Sequence, residues 1–290
     1  PCLGLRTTDA TRTMRWQRRQ LLSNLALLLS GRVGANSGCT AAGISGGGAA
    51  AAKADGGRSG GMQQLQRLRE GDVRLYLVRH GQTEWNNEGR VQGRSDIDLN
   101  DRGLQQAVFL ADALADLPIG LVASSNLKRA AVTADTVHQR HSVAPRARSG
   151  DFAEICFGDL EGAKVANVRE DMRAIYRAWS MGDGDVPFPG IGGETYNQAV
   201  ARGRAGLRKL GVLPSESAAA RSPRHVAVVA HGRFNLVLMS ALCADEATKA
   251  QLLCATSQGN TCINVVDVSA DGACSIVALN MLDHLPQAMR

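Results

Sequence analysis

The stretch VRLYLVRHGQTEWN, residues 73–86, decides the fold. Its apolar run Leu75-Tyr76-Leu77-Val78 stops abruptly at Arg79-His80-Gly81. A short apolar run of this kind reads as a buried strand. Ending it in a cation, an imidazole and a glycine delivers a nucleophile-capable His and an anion-binding Arg to the carboxyl end of the strand. Open α/β sheets place their ligands there. Gly81 lets the backbone turn sharply and approach a ligand closely. A strand followed by an ordinary polar loop would look the same over three residues, so the rest of the chain has to decide.

Strands and helices alternate downstream. Asn100 is positioned as the N-cap of a helix over 101–116. Leu104, Ala107, Val108, Ala111, Leu114 and Ala115 recur at helical spacing, and Pro118 ends the run. Ile119 to Ala123 reads as a second buried strand. Ser124-Ser125-Asn126 follows as a loop, then a helix carrying Lys128, Arg129 and Thr133. A short strand is expected near 144–148, a loop over Glu154 to Gly162, and helices over 163–181 and 194–211 on either side of the turn-rich segment 182–193. Val226 to Ala230 is a third buried strand, and it too ends in His-Gly. A helix over 233–243 and a strand pair, Thr261 to Val268 and Cys274 to Leu279 across Asp271-Gly272, complete the pattern. The alternation predicts an α/β fold, a three-layer α/β/α sandwich with a largely parallel central sheet.

The chain divides by composition. Its net charge of +6 is uneven: residues 1–70 hold ten Arg/Lys against three Asp/Glu, and the remainder holds 23 against 24. The basic character belongs to the leader, which gives no reason to expect a nucleic-acid partner. Residues 1–61 are rich in Arg, Ala, Ser, Thr and Gly and end in SGGGAAAAKADGGRSGG, a composition with little apolar surface to bury. Within them a basic stretch, Met14 to Gln20, precedes the apolar run Leu21 to Leu29, an order similar to a targeting peptide. Three readings stand: an organellar transit peptide, a signal peptide, or sequence upstream of the mature protein, with Met62 as an alternative start. We therefore divide the chain into a low-complexity basic leader, 1–71, and a catalytic domain, 72–290. The seven cysteines contain no C-x-x-C pair. They are expected to be reduced thiols of an intracellular compartment, a chloroplast or mitochondrion if the leader is an address and the cytoplasm otherwise. No run of 18 apolar residues occurs, so no membrane partner is expected.

Two strands ending in His-Gly, Val78-Arg79-His80-Gly81 and Val229-Ala230-His231-Gly232, would converge on one crevice if they lie in one sheet. Arginine suits a phosphoryl group because its planar fork matches two oxygens. Arg79 adjoins the first His. Arg129 opens a helix, where backbone amides and the helix dipole also favour an anion.

Six blocks stand in order: LVRHGQTEWN (77–86), GRVQGRSDIDLNDRGLQQA (89–107), ASSNLKRAAVTADTV (123–137), EICFGDLEG (154–162), PGIGGET (189–195) and VVAHGRFN (228–235). Together they resemble the signature of the histidine phosphatase superfamily, branch 1, the phosphoglycerate-mutase-like group, over about residues 73–285. The resemblance implies a phosphoglycerate-mutase-like fold and assigns roles residue by residue. His80 is the nucleophile that becomes phosphohistidine. Arg79 and Arg129 clamp the phosphoryl oxygens, and His231 is the second imidazole on the same group. Asn86 completes the pocket. Glu154 is the general acid for the leaving oxygen and then the base for water. Gln92, Thr83 and Gln82 match loop residues of the family and are read as candidate ligand contacts, with solvated polar loop residues as the equal alternative. The chemistry is coherent without a metal or cofactor. A neutral imidazole is a competent nucleophile toward phosphorus, and two arginines with an imidazole stabilise charge on the equatorial oxygens.

The family holds phosphatases and mutases. Glycolytic mutases of this kind carry a Lys and an Arg-Arg pair after the acid. Here Lys164 lies one residue out of place, and 165–193 has no Arg-Arg. Phe157-Gly158 and Glu161-Gly162 match the phosphatase pattern. Arg169, Arg173 and Arg177 fall at helical spacing and read as a solvated face. Glu194 reads as a helix-start and pocket-wall residue, and Arg233 as either a substrate contact or a solvent-facing side chain. His138, His141, His225 and His284 read as surface or structural, and the acids of Ser95-Asp96-Ile97-Asp98 as loop and helix-start residues rather than metal ligands. A phosphatase acting on a small phosphomonoester is the leading expectation and a phosphoglycerate mutase the alternative. A non-catalytic phospho-ligand binder is a third reading, disfavoured because every core position is retained. The sequence specifies neither the substrate nor the oligomeric state.

Overall fold

The computed structural model describes residues 65, 67–214, 224–255 and 258–290. Most of the leader, with Met62, Cys2 and Cys39, lies outside them. Six strands form one sheet: β1 (Val73–Arg79), β2 (Leu121–Ser125), β3 (Arg146–Ser149), β4 (His225–Ala230), β5 (Ile263–Val268) and β6 (Cys274–Met281). Their order is β3-β2-β4-β1-β5-β6. The first four in that order are mutually parallel, β5 runs antiparallel to β1, and β6 runs antiparallel to β5. The sheet is thus mostly parallel, with an antiparallel hairpin at one side.

Among the described residues seven α-helices accompany it: α1 (Glu84–Asn87), α2 (Asp101–Leu114), α3 (Lys128–His138), α4 (Val165–Ser180), α5 (Tyr196–Lys209), α6 (Gly232–Leu242) and α7 (Glu246–Cys254). β1 reads as a continuous apolar run because both of its faces are covered. Leu75 and Leu77 face a core built with α4 to α7, including Trp179, Leu207, Leu238 and Leu252. Tyr76 and Val78 face a second core with Leu110 and Leu114 of α2 and Ala134 and Val137 of α3. These are the three layers. Trp179 is nearly fully buried, and its indole N–H donates to the Val186 carbonyl at 2.8 Å. Burial of each such large apolar side chain stabilises the fold by about 1.5–3 kcal/mol.

The N-cap at Asn100 is present: its side-chain oxygen accepts from Gly103 N at 2.9 Å. Two expectations need correction. The second strand spans 121–125 rather than 119–123. Ser124 and Ser125 are fully buried inside it because Arg146 donates to the Ser124 hydroxyl at 2.7 Å and Leu127 N to the Ser125 hydroxyl at 3.1 Å. Helix α7 was not anticipated. Its polar residues blur the helical period, and its signal is the cap at Asp245, which accepts from Thr248 N at 2.8 Å. Among the described residues, no helix is long and apolar enough to cross a membrane.

Candidate active site

The register of β1 on β4 pairs Arg79 with Ala230, so the two strands stop together. His80 N donates to the Ala230 carbonyl at 3.0 Å. The residues that follow each strand, His80 and His231, stand side by side with ring centroids 5.1 Å apart. Each strand end then turns away: Gly81 packs against Gly103, leaving no room for a Cβ, and Gly232 opens α6.

His80 is nearly buried, and its Nδ1 lies 2.6 Å from the Gly81 carbonyl oxygen. That oxygen can only accept, so Nδ1 carries the proton and Nε2 keeps its lone pair in the neutral ring. Burial pushes the His80 pKa well below the ordinary value, and the nearby Arg129 and Arg79 guanidinium groups push it the same way. His231 is shifted down for the same first reason, then by Arg129 and His80. Both imidazoles are therefore neutral at neutral pH.

Arg129 is fully buried at the start of α3. It donates to the Ser95 carbonyl at 2.7 Å and the Gly93 carbonyl at 2.8 Å, which fixes the plane of its fork. Burial lowers its pKa to about 10, which leaves it a cation at neutral pH. Arg79 is anchored on the Gln258 carbonyl. Arg79 Nε, Arg129 Nε and both ring nitrogens of His231 have no hydrogen-bond partner among the described residues. Buried polar atoms are rarely left so, and each costs about 1–3 kcal/mol. An oxyanion with several acceptor oxygens would satisfy the two arginine Nε–H groups and the one ring N–H that a neutral His231 carries.

Glu154 caps the amino end of α6. Its Oε1 accepts from Ile155 N at 2.9 Å and Phe234 N at 2.8 Å, and its Oε2 from Arg233 N at 3.2 Å. Oε2 is the less engaged oxygen. Arg79, His80, Asn86, Gln92, Arg129 and Glu154 line one cavity of about 560 Å³ at the carboxyl ends of β1 and β4. His231 is fully buried beside His80. Thr83 is not part of the lining. It is buried as the N-cap of α1, where its hydroxyl accepts from Asn86 N at 3.1 Å. Gln82 is likewise engaged, its backbone N–H donating to the Gln106 side-chain oxygen and its own side-chain oxygen accepting from Asn100.

Arg90, Arg169, Arg173 and Arg233 also line the cavity. Arg169 and Arg173 are exposed, but the reading of their face as merely solvated is incomplete: that face is also a wall of the cavity. Arg233 is on the cavity wall rather than turned to solvent. It donates to the Leu253 and Ala255 carbonyls at 3.0 and 2.9 Å and stacks on Tyr176 at 3.7 Å. Lys164 donates to the Glu88 carbonyl at 2.9 Å and is outside the lining. Asn260, which sequence reasoning did not single out, donates to the His80 carbonyl and the Asn86 side chain, each at 3.2 Å. Among the described residues, no group of three His, Cys, Asp or Glu side chains could hold a metal ion.

A mostly parallel sheet with paired His-Gly strand ends, two arginines and a carboxylate around one cavity defines a class of phosphoryl-handling α/β protein. The chain matches the model of the histidine phosphatase superfamily (branch 1) over residues 75–281, and it belongs to that superfamily. It is 35% identical over 169 residues to a glucosyl-3-phosphoglycerate phosphatase of Mycolicibacterium vanbaalenii, covering 58% of this chain and 73% of that one. It is 34% identical over 160 residues to a metal-independent phosphoserine phosphatase of Arabidopsis thaliana, covering 54% of this chain and 63% of that one. It is 35% identical over 138 residues to phosphoglycerate mutase-like protein 4 of the same plant, covering 47% of this chain and 60% of that one. The chain thus spans less than two thirds of the length of both plant relatives. The solved structure of a mycobacterial glucosyl-3-phosphoglycerate phosphatase superposes with a TM-score of 0.59 at 27% identity, covering 73% of this chain and all of that one. Relatives named as phosphatases support phosphatase activity in this family.

Proposed function

We propose that the protein is a metal-independent phosphomonoester hydrolase that acts on a small acidic metabolite through a phosphohistidine. The observation that carries this reading is the state of His80. The ring is neutral, with its proton held at Nδ1 by the Gly81 carbonyl and the Nε2 lone pair available. Nε2 attacks phosphorus and the bond from phosphorus to the ester oxygen breaks. Glu154 gives its proton to that oxygen as it leaves. Arg79, Arg129 and His231 bind the three phosphoryl oxygens and offset the charge that develops on them. Water then attacks the phosphohistidine, Glu154 accepts its proton, and the P–N bond breaks to return the lone pair to His80.

Lys164 supports hydrolysis over mutase chemistry, since its amino group is committed to Glu88 rather than to the cavity. The mutase reading has its own observation: Arg90, Arg169 and Arg173 add cations to the cavity wall, as a second phosphoryl group would need. The same cations support an acidic substrate in either case. The test is phosphate release by the full chain in excess EDTA over a panel of alkyl phosphomonoesters, beside His80→Ala. Product analysis for 2-phosphoglycerate from 3-phosphoglycerate, with a bisphosphoglycerate primer, runs in parallel. Release that survives EDTA and vanishes in the variant supports the hydrolase. Isomerisation with little release makes it a mutase. A His80→Ala chain that matches the wild type in release overturns both.

A further inference from the structure

Arg202, on α5, makes contacts that the proposed chemistry does not use. Its Nη1 donates to the carbonyls of Asp151 and Ala153 at 3.0 and 2.7 Å, and its Nη2 to the carbonyl of Glu154 at 3.3 Å. The same guanidinium forms a two-pronged pair with Glu194, Nε to Oε1 at 2.6 Å and Nη2 to Oε2 at 2.9 Å. Glu194 in turn holds the far side of the acid. Its Oε2 accepts from Cys156 N at 3.2 Å, and its own N donates to the Cys156 carbonyl at 2.9 Å. The backbone on both sides of Glu154 is thus gripped by one ion pair. The guanidinium also lies 4.6 Å from the centre of the Phe234 ring. Phe234 is the residue whose amide donates to Glu154 Oε1. One side chain therefore ties the acid's backbone to the helix end that holds its carboxylate.

We infer that Arg202 and Glu194 are positioning residues that fix the carboxyl of Glu154 for proton transfer to the leaving oxygen. Neither touches the reacting atoms. A planar fork with five donors is required, because three carbonyls and a carboxylate are bound at once, and lysine does not reproduce that geometry. The consequence is graded by the chemistry of the leaving group. An alkoxide must be protonated as it departs, and general acid catalysis contributes about 10²–10⁴-fold to such a step. A 4-nitrophenolate departs without a proton. Loosening the clamp therefore slows phosphorylation of His80 by alkyl esters and spares phosphorylation by the aryl ester.

The inference rests on the assignment of Glu154 as acid, and the experiment separates the two. The first-turnover release of the leaving group is followed in the full chain with 4-nitrophenyl phosphate and with the best alkyl ester of the panel above. Arg202→Lys is expected to lower the alkyl rate ~10²-fold and the aryl rate less than ~5-fold. Glu194→Gln, which keeps the shape of the pair, lowers the alkyl rate roughly 10-fold with the same selectivity, and it decides the question should Arg202→Lys fail to fold. Equal losses on both esters, or no loss on either, overturn the clamp. Glu154→Gln is the control. If it is selective and the clamp variants are not, only the clamp fails. If Glu154→Gln is itself unselective, the acid assignment falls and takes the clamp with it.

Discussion

The two ends of the cavity are built in opposite ways. At the inner end, His80, His231 and Arg129 are buried and sit on strand ends or a helix start, and backbone carbonyls hold His80 and Arg129. At the outer wall, Arg169 and Arg173 project from α4, exposed, and Arg173 pairs with the still more exposed Glu170 at 2.8 Å. A rigid constellation fixed by the sheet suits one reaction, since preorganised charge need not be rearranged during the chemical step. An exposed helix face suits recognition of the remainder of the substrate, because its side chains can change without disturbing the sheet.

The sharpest break in that comparison is His80→Ala, which is expected to lower turnover by roughly 10⁴-fold or more while the fold persists, measured as phosphate release beside a thermal melt. Arg129→Ala should lower kcat by about 10²–10³-fold, as expected for loss of a transition-state donor. It should also destabilise the chain, because the Ser95 and Gly93 carbonyls lose their donor. Arg169→Ala should do the reverse, raising KM for acidic substrates about 3–10-fold with kcat and melting temperature unchanged. Equal effects of the inner and outer variants on kcat would erase the division between the two ends.

Stability against pH sharpens the comparison further. His80 and His231 have pKa values lowered by burial, so the folded chain binds fewer protons than the unfolded chain below the ordinary histidine value of 6.5. Their contribution is full above that value and is lost as pH falls. Urea midpoints should therefore decline as pH drops below 6.5, and a His80→Asn/His231→Asn double variant should flatten the decline. A decline equally steep in the double variant would assign it to other groups, His284 among them, whose pKa burial lowers to about 4.

The inner end was legible in the sequence because its determinants are local. An apolar run that stops at His-Gly states both where a strand ends and what it delivers, and two such runs imply one crevice. The outer wall was not legible for the same reason in reverse. Helical spacing shows that Arg169 and Arg173 share a face, but not what that face overlooks. The Arg202–Glu194 pair joins α5 to the loop around Glu154 across about fifty residues of sequence, and no period or motif encodes it. The polarity of Ser124 and Ser125 reads as a loop in the sequence, whereas Arg146 of β3 satisfies the first hydroxyl and the Leu127 N–H at the start of α3 the second.

The neighbours of β1 bear on the order in which the protein comes into being during synthesis. The strand that ends at His80 is made early, yet Val78 pairs with Val229 on one side and Ile263 on the other. A ribosome adding about 5–20 residues each second finishes β1 well before either flanking strand exists. Until they emerge, His80 has no His231 beside it, and the run from Leu75 to Val78 lacks its cover. The pocket is therefore among the last parts of the nascent chain to close, and a chain released before β4 lacks His231. Contacts so distant in sequence also predict slow closure once the chain is complete.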